Sequence, residues 1–205
     1  MSDPGMDITK EATKTAVVEL IRPAQEIVAD VLGGLFGDHL SNWRKAKPAW
    51  QERNQREIAE RAVKVMLDRG VTRASDDANP VHVEEIIDAS KNTTDPKLKD
   101  MYARLIASAM DPKRVNLYRR EFVQIVNQLE PLDALVLQLL SKPDMSGAEW
   151  IRKIAKALMR APDEVAVCGH NLERLGCAIH PATQFIEQGA VLAALGRQLI
   201  AAVSD

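Results

Sequence analysis

Aromatic residues make up only 4% of this 205-residue chain, while leucine, alanine, valine and isoleucine are abundant. That scarcity argues against a large β-sheet and favours packed helices. Two cysteines, Cys168 and Cys177, are too few for a disulfide framework. The net charge is only -2, so no global excess of positive charge directs the chain to nucleic acid or an acidic membrane. The first residues lack the basic and apolar regions of a secretory signal. The most apolar early run, Ala16 to Phe36, carries Glu19, Arg22, Glu26 and Asp30, which excludes it as a membrane span. The expectation is therefore a cytoplasmic protein without a transmembrane segment. No phosphate-cradling glycine loop, no GxSxG elbow, no internal repeat and no low-complexity tract occurs. The carboxylates lie on the polar faces of amphipathic stretches, so nothing selects an acid–base pair. The expectation is no cofactor, no catalytic residue and no enzyme.

What is present is apolar periodicity. Apolar content is 46%, enough to build a core. From Ile8 onward Val17, Leu20, Ile21, Ala24, Ile27, Val28, Val31 and Leu35 recur at helical spacings, interrupted by Pro23 and loosened by Gly33, Gly34 and Gly37. Residues 1–48 thus read as N-terminal amphipathic helices. Two roles suit such a segment: a membrane-surface or partner-binding helix, or a helix packed on its own domain. Its acidic polar face favours the second.

Residues 49–128 read as a helical core. Trp43 to Lys64 holds seven basic against three acidic residues, with Trp43 and Trp50 interleaved. Arg44, Lys45, Arg53 and Arg56 are therefore nucleic-acid-binding candidates. Glu52–Arg56, Glu57–Arg61 and Glu60–Lys64 sit at i,i+4, however, which favours a solvated helix face. This helix should run to about Arg69 and stop at Gly70. A polar loop over Val71 to Pro80 leads to a helix over Val81 to Ser90. Asp95 with Pro96 caps the next, which ends before Asp111-Pro112. Another helix is expected over Tyr118 to Leu129.

Residues 129–205 hold a tight apolar stripe, Leu132, Leu135, Val136, Leu139 and Leu140. Ser146 and Glu149 have capping-box spacing for a helix from Gly147 to Arg160. Asp163 is the expected cap of a helix ending at Gly176. Cys177 to Ile179 and Phe185 to Ile186 are short extended candidates joined by His180-Pro-Ala-Thr183, and the last helix is expected over Val191 to Val203. This order resembles a winged helix. Asn171-Leu-Glu-Arg-Leu-Gly176 resembles the end of the third helix of such modules, and Leu192 to Leu199 the helix after the wing. The fold class expected is all-α: a helical N-terminal part and a C-terminal winged-helix-like subdomain with a short β-hairpin.

A more specific resemblance spans roughly Ala49 to Val203. The charged helix Trp50 to Gly70, the helix Val83 to Ser90 and the segments Leu98 to Pro112, Phe122 to Leu135 and Asn171 to Gly176 follow one another as in the abortive-infection alpha family. The family is a group of bacterial proteins associated with phage resistance. The resemblance implies a phage-defence role and carries over no catalytic residue. Such modules usually place a bulky aliphatic after the closing glycine, where this chain has Cys177-Ala178.

Two constellations remain. Cys168, His170, Cys177 and His180 are all zinc-ligand types. Cys168 and His170, two apart on a helix, point to different faces, which favours a buried Cys168, a surface His170 and a packed Cys177. The helix that would enter a DNA groove has Asp163, Glu164 and Glu173 against Arg174, the wrong sign for phosphates. The preceding helix is better suited, with Lys153, Lys156 and Arg160 as candidates beside Arg152. The favoured reading is a phage-defence protein acting through a protein partner or homo-oligomer. A nucleic-acid-binding regulator and a membrane-surface effector are the alternatives.

Overall fold

The computed structural model describes residues 48–71, 74–147, 149–179 and 191–204. The N-terminal amphipathic helices, Arg44, Lys45, His180 and the extended candidate Phe185 to Ile186 lie outside these residues. Among the described residues the chain forms eight α-helices, one 3-10 turn and one two-stranded sheet.

Helix α1 spans Ala49–Asp68 and buries Ile58, Ala62 and Met66 on one side. It ends as expected at Gly70, whose left-handed backbone (φ 71°) lets Val71 N–H donate to Met66 O at 2.9 Å. Helix α2 spans Pro80–Ser90, opened by the Asn79 side chain accepting from Val81 N at 3.0 Å. Its C-terminal carbonyls are satisfied from α1. Asn54 Nδ2 donates to Ser90 O and Lys91 O, and Gln55 Nε2 donates to Ile87 O. This explains why two amides are buried in the inner face of α1.

Helix α3, Pro96–Met110, is the centre of the molecule. Asp95 caps it by accepting from Lys97 N at 2.8 Å and Leu98 N at 3.2 Å. It packs against α1, α2, a 3-10 turn at Val115–Leu117 and three later helices: α4 (Arg120–Val126), α5 (Pro131–Leu140) and α8 (Ala194–Val203). The sequence indicates one apolar face, but Ala103, Ala107 and Ser108 are also fully buried. Small side chains on the second face let other helices approach closely. Glu57 ties α1 to α3, accepting from Arg61 at 2.7 Å and Lys99 at 2.6 Å. The Lys99 hydrogen bond, then that of Arg61, holds its carboxyl below the usual value.

Several element boundaries differ from the sequence expectation. Helix α4 is shorter than Tyr118 to Leu129: Tyr118 is extended, and beyond Val126 the backbone closes i→i+3 bonds before Pro131. Helix α6 spans Trp150–Leu158, not Gly147 to Arg160. The expected Ser146–Glu149 capping box does not open it. Ser146 Oγ donates instead to Pro143 O, and Glu149 is itself left-handed (φ 59°). Helix α7 spans Pro162–Arg174 with Ala161 at the cap, so Asp163 lies inside the first turn. The capping function falls to Glu164, which accepts from Ala161 N at 3.0 Å.

Helix α7 ends at Gly176 in the manner of α1, with Cys177 N donating to Leu172 O at 2.8 Å. Strand β1 (Ala178–Ile179) then pairs antiparallel with β2 (Val191–Leu192), matching Ala178 with Leu192 and Ile179 with Val191. Val191 and Leu192 therefore belong to the sheet rather than to the last helix, which begins at Ala194. Alternation sends Ala178 and Leu192 into the core and leaves Ile179 and Val191 exposed. Helix α8 closes against the first half of the chain. Ser108 Oγ donates to Ala202 O, Arg114 to Ser204 O at 2.7 Å, and Arg69 to Ser204 O at 2.6 Å. The buried side chains form one cluster running from Ile58 to Val203.

Candidate docking cleft

Helices α5 and α7 lie side by side and are joined by a polar chain. Its anchor is Asp133, in the first turn of α5 and only 3% exposed. One carboxylate oxygen accepts from Glu130 N at 2.9 Å and from Asn171 Nδ2 at 2.6 Å. A carboxylate can only accept, so Asn171 must turn its amide nitrogen toward Asp133 and its oxygen away. That oxygen accepts from Arg174 Nε and Nη2, and Arg174 Nη1 donates to Gln128 Oε1 at 3.2 Å. The chain thus runs from the start of α5 to the end of α7.

Over this chain opens a cleft of about 700 Å3. Leu132, Val167 and Cys168 supply its apolar lining, and Glu130 and Glu164 stand on it with His170. Val167 is 66% exposed on the solvent side of α7, whose buried side is Val165, Cys168, Gly169 and Leu172. The Arg174 guanidinium on the lining is engaged by Asn171 and Gln128. The cleft therefore presents aliphatic surface among Glu130, Asp133 and Glu164 with Arg174 as the opposing cation, a net acidic rim that suits an apolar group carrying positive charge.

The thiols are held in their protonated form. Burial, reinforced by the neighbouring Asp133 carboxylate, pushes the Cys168 thiol up to about 12. Burial alone pushes Cys177 up to about 11. Both remain protonated at neutral pH, and a thiol is a poor nucleophile compared with its thiolate.

Of the four zinc-ligand types, Cys168, His170 and Cys177 lie among the described residues and His180 does not. Cys168 is buried, whereas His170 is exposed, although both border the same cleft. Cys177 is buried behind β1, its Sγ contacting Leu175 O at 3.9 Å. Among the described residues no three histidine, cysteine, aspartate or glutamate side chains are grouped to hold a metal. The basic candidates fall on two helices. Arg53 and Arg56 are exposed on α1; Lys153 and Lys156 on α6, with Arg160 just beyond it. Lys153 Nζ donates to Asp144 O at 3.1 Å, and Arg160 lies 3.9 Å from Glu164. Sequence reading missed the Gln128, Asp133, Asn171 and Arg174 chain. Its one local signal is an acid three residues after Glu130, with proline at the first helical position.

The fold and cleft define a mostly helical protein with a minimal hairpin, and no described helix is long and apolar enough to cross a membrane. The profile of the abortive infection alpha family matches residues 51–199, and the chain belongs to that family. No curated protein and no solved structure matches it.

Proposed function

We propose that this protein acts in the cytoplasm as a phage-defence protein of the abortive-infection type, through protein–protein contact at the α5–α7 cleft and without turning over a substrate. Family membership over residues 51–199 carries the biological part of this reading. The molecular part is supported by the cleft: exposed Val167 beside Leu132, flanked by Glu130 and Glu164, with Cys168 held as a thiol. The order α5, α6, α7, hairpin, α8 supports reading the C-terminal part as a winged-helix-like module, a fold that serves protein docking as well as DNA reading. Helix α7 would be the reading helix, and its exposed Asp163 and Glu164 favour a protein.

The test is a phage challenge of cells making the wild-type chain or Val167→Lys at matched levels. Protection at low phage dose with collapse of the culture at high dose is expected for the wild type. Val167→Lys is expected to lose it. Undiminished protection by the variant would remove the cleft from the mechanism. The nucleic-acid alternative draws on the exposed Arg152, Lys153, Lys156 and Arg160. It requires DNA binding that weakens steeply with salt.

A further inference from the structure

We propose that the occupant of the cleft is a second copy of this chain, which inserts Met159 from its α6–α7 corner. This rests on the reading of the cleft as a protein-contact site. The corner has an unusual build. Helix α6 ends at Met159, whose backbone is left-handed (φ 52°) and whose side chain is 91% exposed. Helix ends of this shape are ordinarily glycine, because a Cβ is strained there. The left-handed turn projects this long apolar side chain into water, and burial in a partner would relieve that exposure.

The chemistry of the corner complements that of the cleft. Met159 is flanked by exposed Lys156 and Arg160. The apolar surface of Leu132 and Val167 is flanked by Glu130 and Glu164. Lys156 beside the knob thus complements Glu130 beside the socket, while Arg160 and Glu164, paired within each copy, stand where they can exchange partners across the contact. Methionine, unbranched and polarizable, fills such irregular sockets well. At its exposure Met159 does not occupy its own molecule's cleft. Yet Arg160 lies 3.9 Å from Glu164, so knob and socket adjoin on one surface. Adjoining patches allow a two-fold arrangement in which each copy inserts Met159 into the other, closing a dimer.

The experiment is sedimentation of the full chain over a concentration series at low and high salt. Concentration-dependent association is expected, weakened by salt because charge pairs at the rim are screened. Met159→Glu and Val167→Lys should each raise the dissociation constant by at least about tenfold. Both sites are exposed, so the helical circular-dichroism signal, and the melting temperature at dilutions where every chain is monomeric, should not change. An equal mixture of the two variants should associate again. In the mixed pair one knob-and-socket contact is native. The other sets the carboxylate introduced by Met159→Glu against the ammonium introduced by Val167→Lys, which are opposite charges. A wild-type chain that stays monomeric, variants that associate as the wild type does, or a mixture that stays monomeric each overturns the proposal. A monomeric chain whose Val167→Lys variant still loses phage protection overturns the second copy and leaves the cleft to another partner. Self-association with protection undiminished in Val167→Lys overturns the functional reading alone.

Discussion

Four buried acids of unusual weakness make the fold less stable in alkali. Burial pushes Tyr102 and Tyr118 up to about 12 from an ordinary 10.0, with Glu85 adding to the effect at Tyr118. Cys168 and Cys177 rise to about 12 and about 11 from 9.0. Between pH 9 and 12 the unfolded chain therefore loses protons that the folded chain keeps. The unfolded state binds fewer protons there, so stability falls as pH rises. Melting temperature measured against pH should be undiminished by these groups below pH 9 and fall through that window. The thiols should also resist iodoacetamide at neutral pH and react promptly in denaturant. Asp133 makes the second prediction at this scale. Asp133→Ala strips Glu130 N and Asn171 Nδ2 of a buried charged acceptor, at a cost of about 2 kcal/mol. For a chain of this size that is roughly 4–8 °C in a thermal melt. The contact with Asn171 was not legible in sequence, because it joins two helices through a side chain whose local pattern says only that a helix begins.

At the scale of elements, the sequence is most readable where one residue type answers a backbone need. Gly70 and Gly176 end helices, and Asp95 opens one, as their chemistry requires. It is least readable where two local solutions compete. Ser146 and Glu149 have the spacing of a capping box, but Gly147 (φ 82°) bends the chain between them and α6 starts at Trp150. Val191 and Leu192 continue the apolar period of α8, yet pairing with Ala178 and Ile179 draws them into the sheet. The same docking explains Gly196, at the start of α8. A Cβ there would fall 2.1 Å from the backbone oxygen of Cys177, which already accepts from Ala193 N at 2.9 Å. The obstructing atom is backbone and cannot swing aside. Gly196→Ala should therefore cost at least about 2 kcal/mol by separating α8 from β1. Gly70→Ala meets no atom within 4 Å and incurs only left-handed strain, about 1 kcal/mol. Chemical denaturation of the two variants should rank them in that order. Equal losses would mean that the approach of α8 to Cys177 contributes nothing.

Considered as a whole molecule, the chain raises a question about its parts. The periodicity of the sequence suggests a helical core ending at residue 128 and a C-terminal module from 129. In the fold the second packs on the first. Helix α3 belongs to the earlier part, yet α5 and α8 pack on it, and Ser108, Arg114 and Arg69 satisfy the last carbonyls of α8. Removing α8 would uncover α3 and leave buried Ser108 without its acceptor, so neither part keeps its burial alone. Cooperative unfolding follows from this sharing of core, because local opening of either part exposes apolar surface of the other. A variant with Trp43→Phe and Trp50→Phe keeps Trp150, which is 4% exposed in α6, as its only indole reporter. Its fluorescence in urea should trace the same midpoint and slope as the far-ultraviolet helical signal, to which the eight described helices contribute. An early fluorescence transition would instead mean that α6 and its neighbours open while α1 to α3 remain folded. The hydrogen bonds between α8 and the first half argue against that order, since they tie the last turn of the molecule to the helix at its centre.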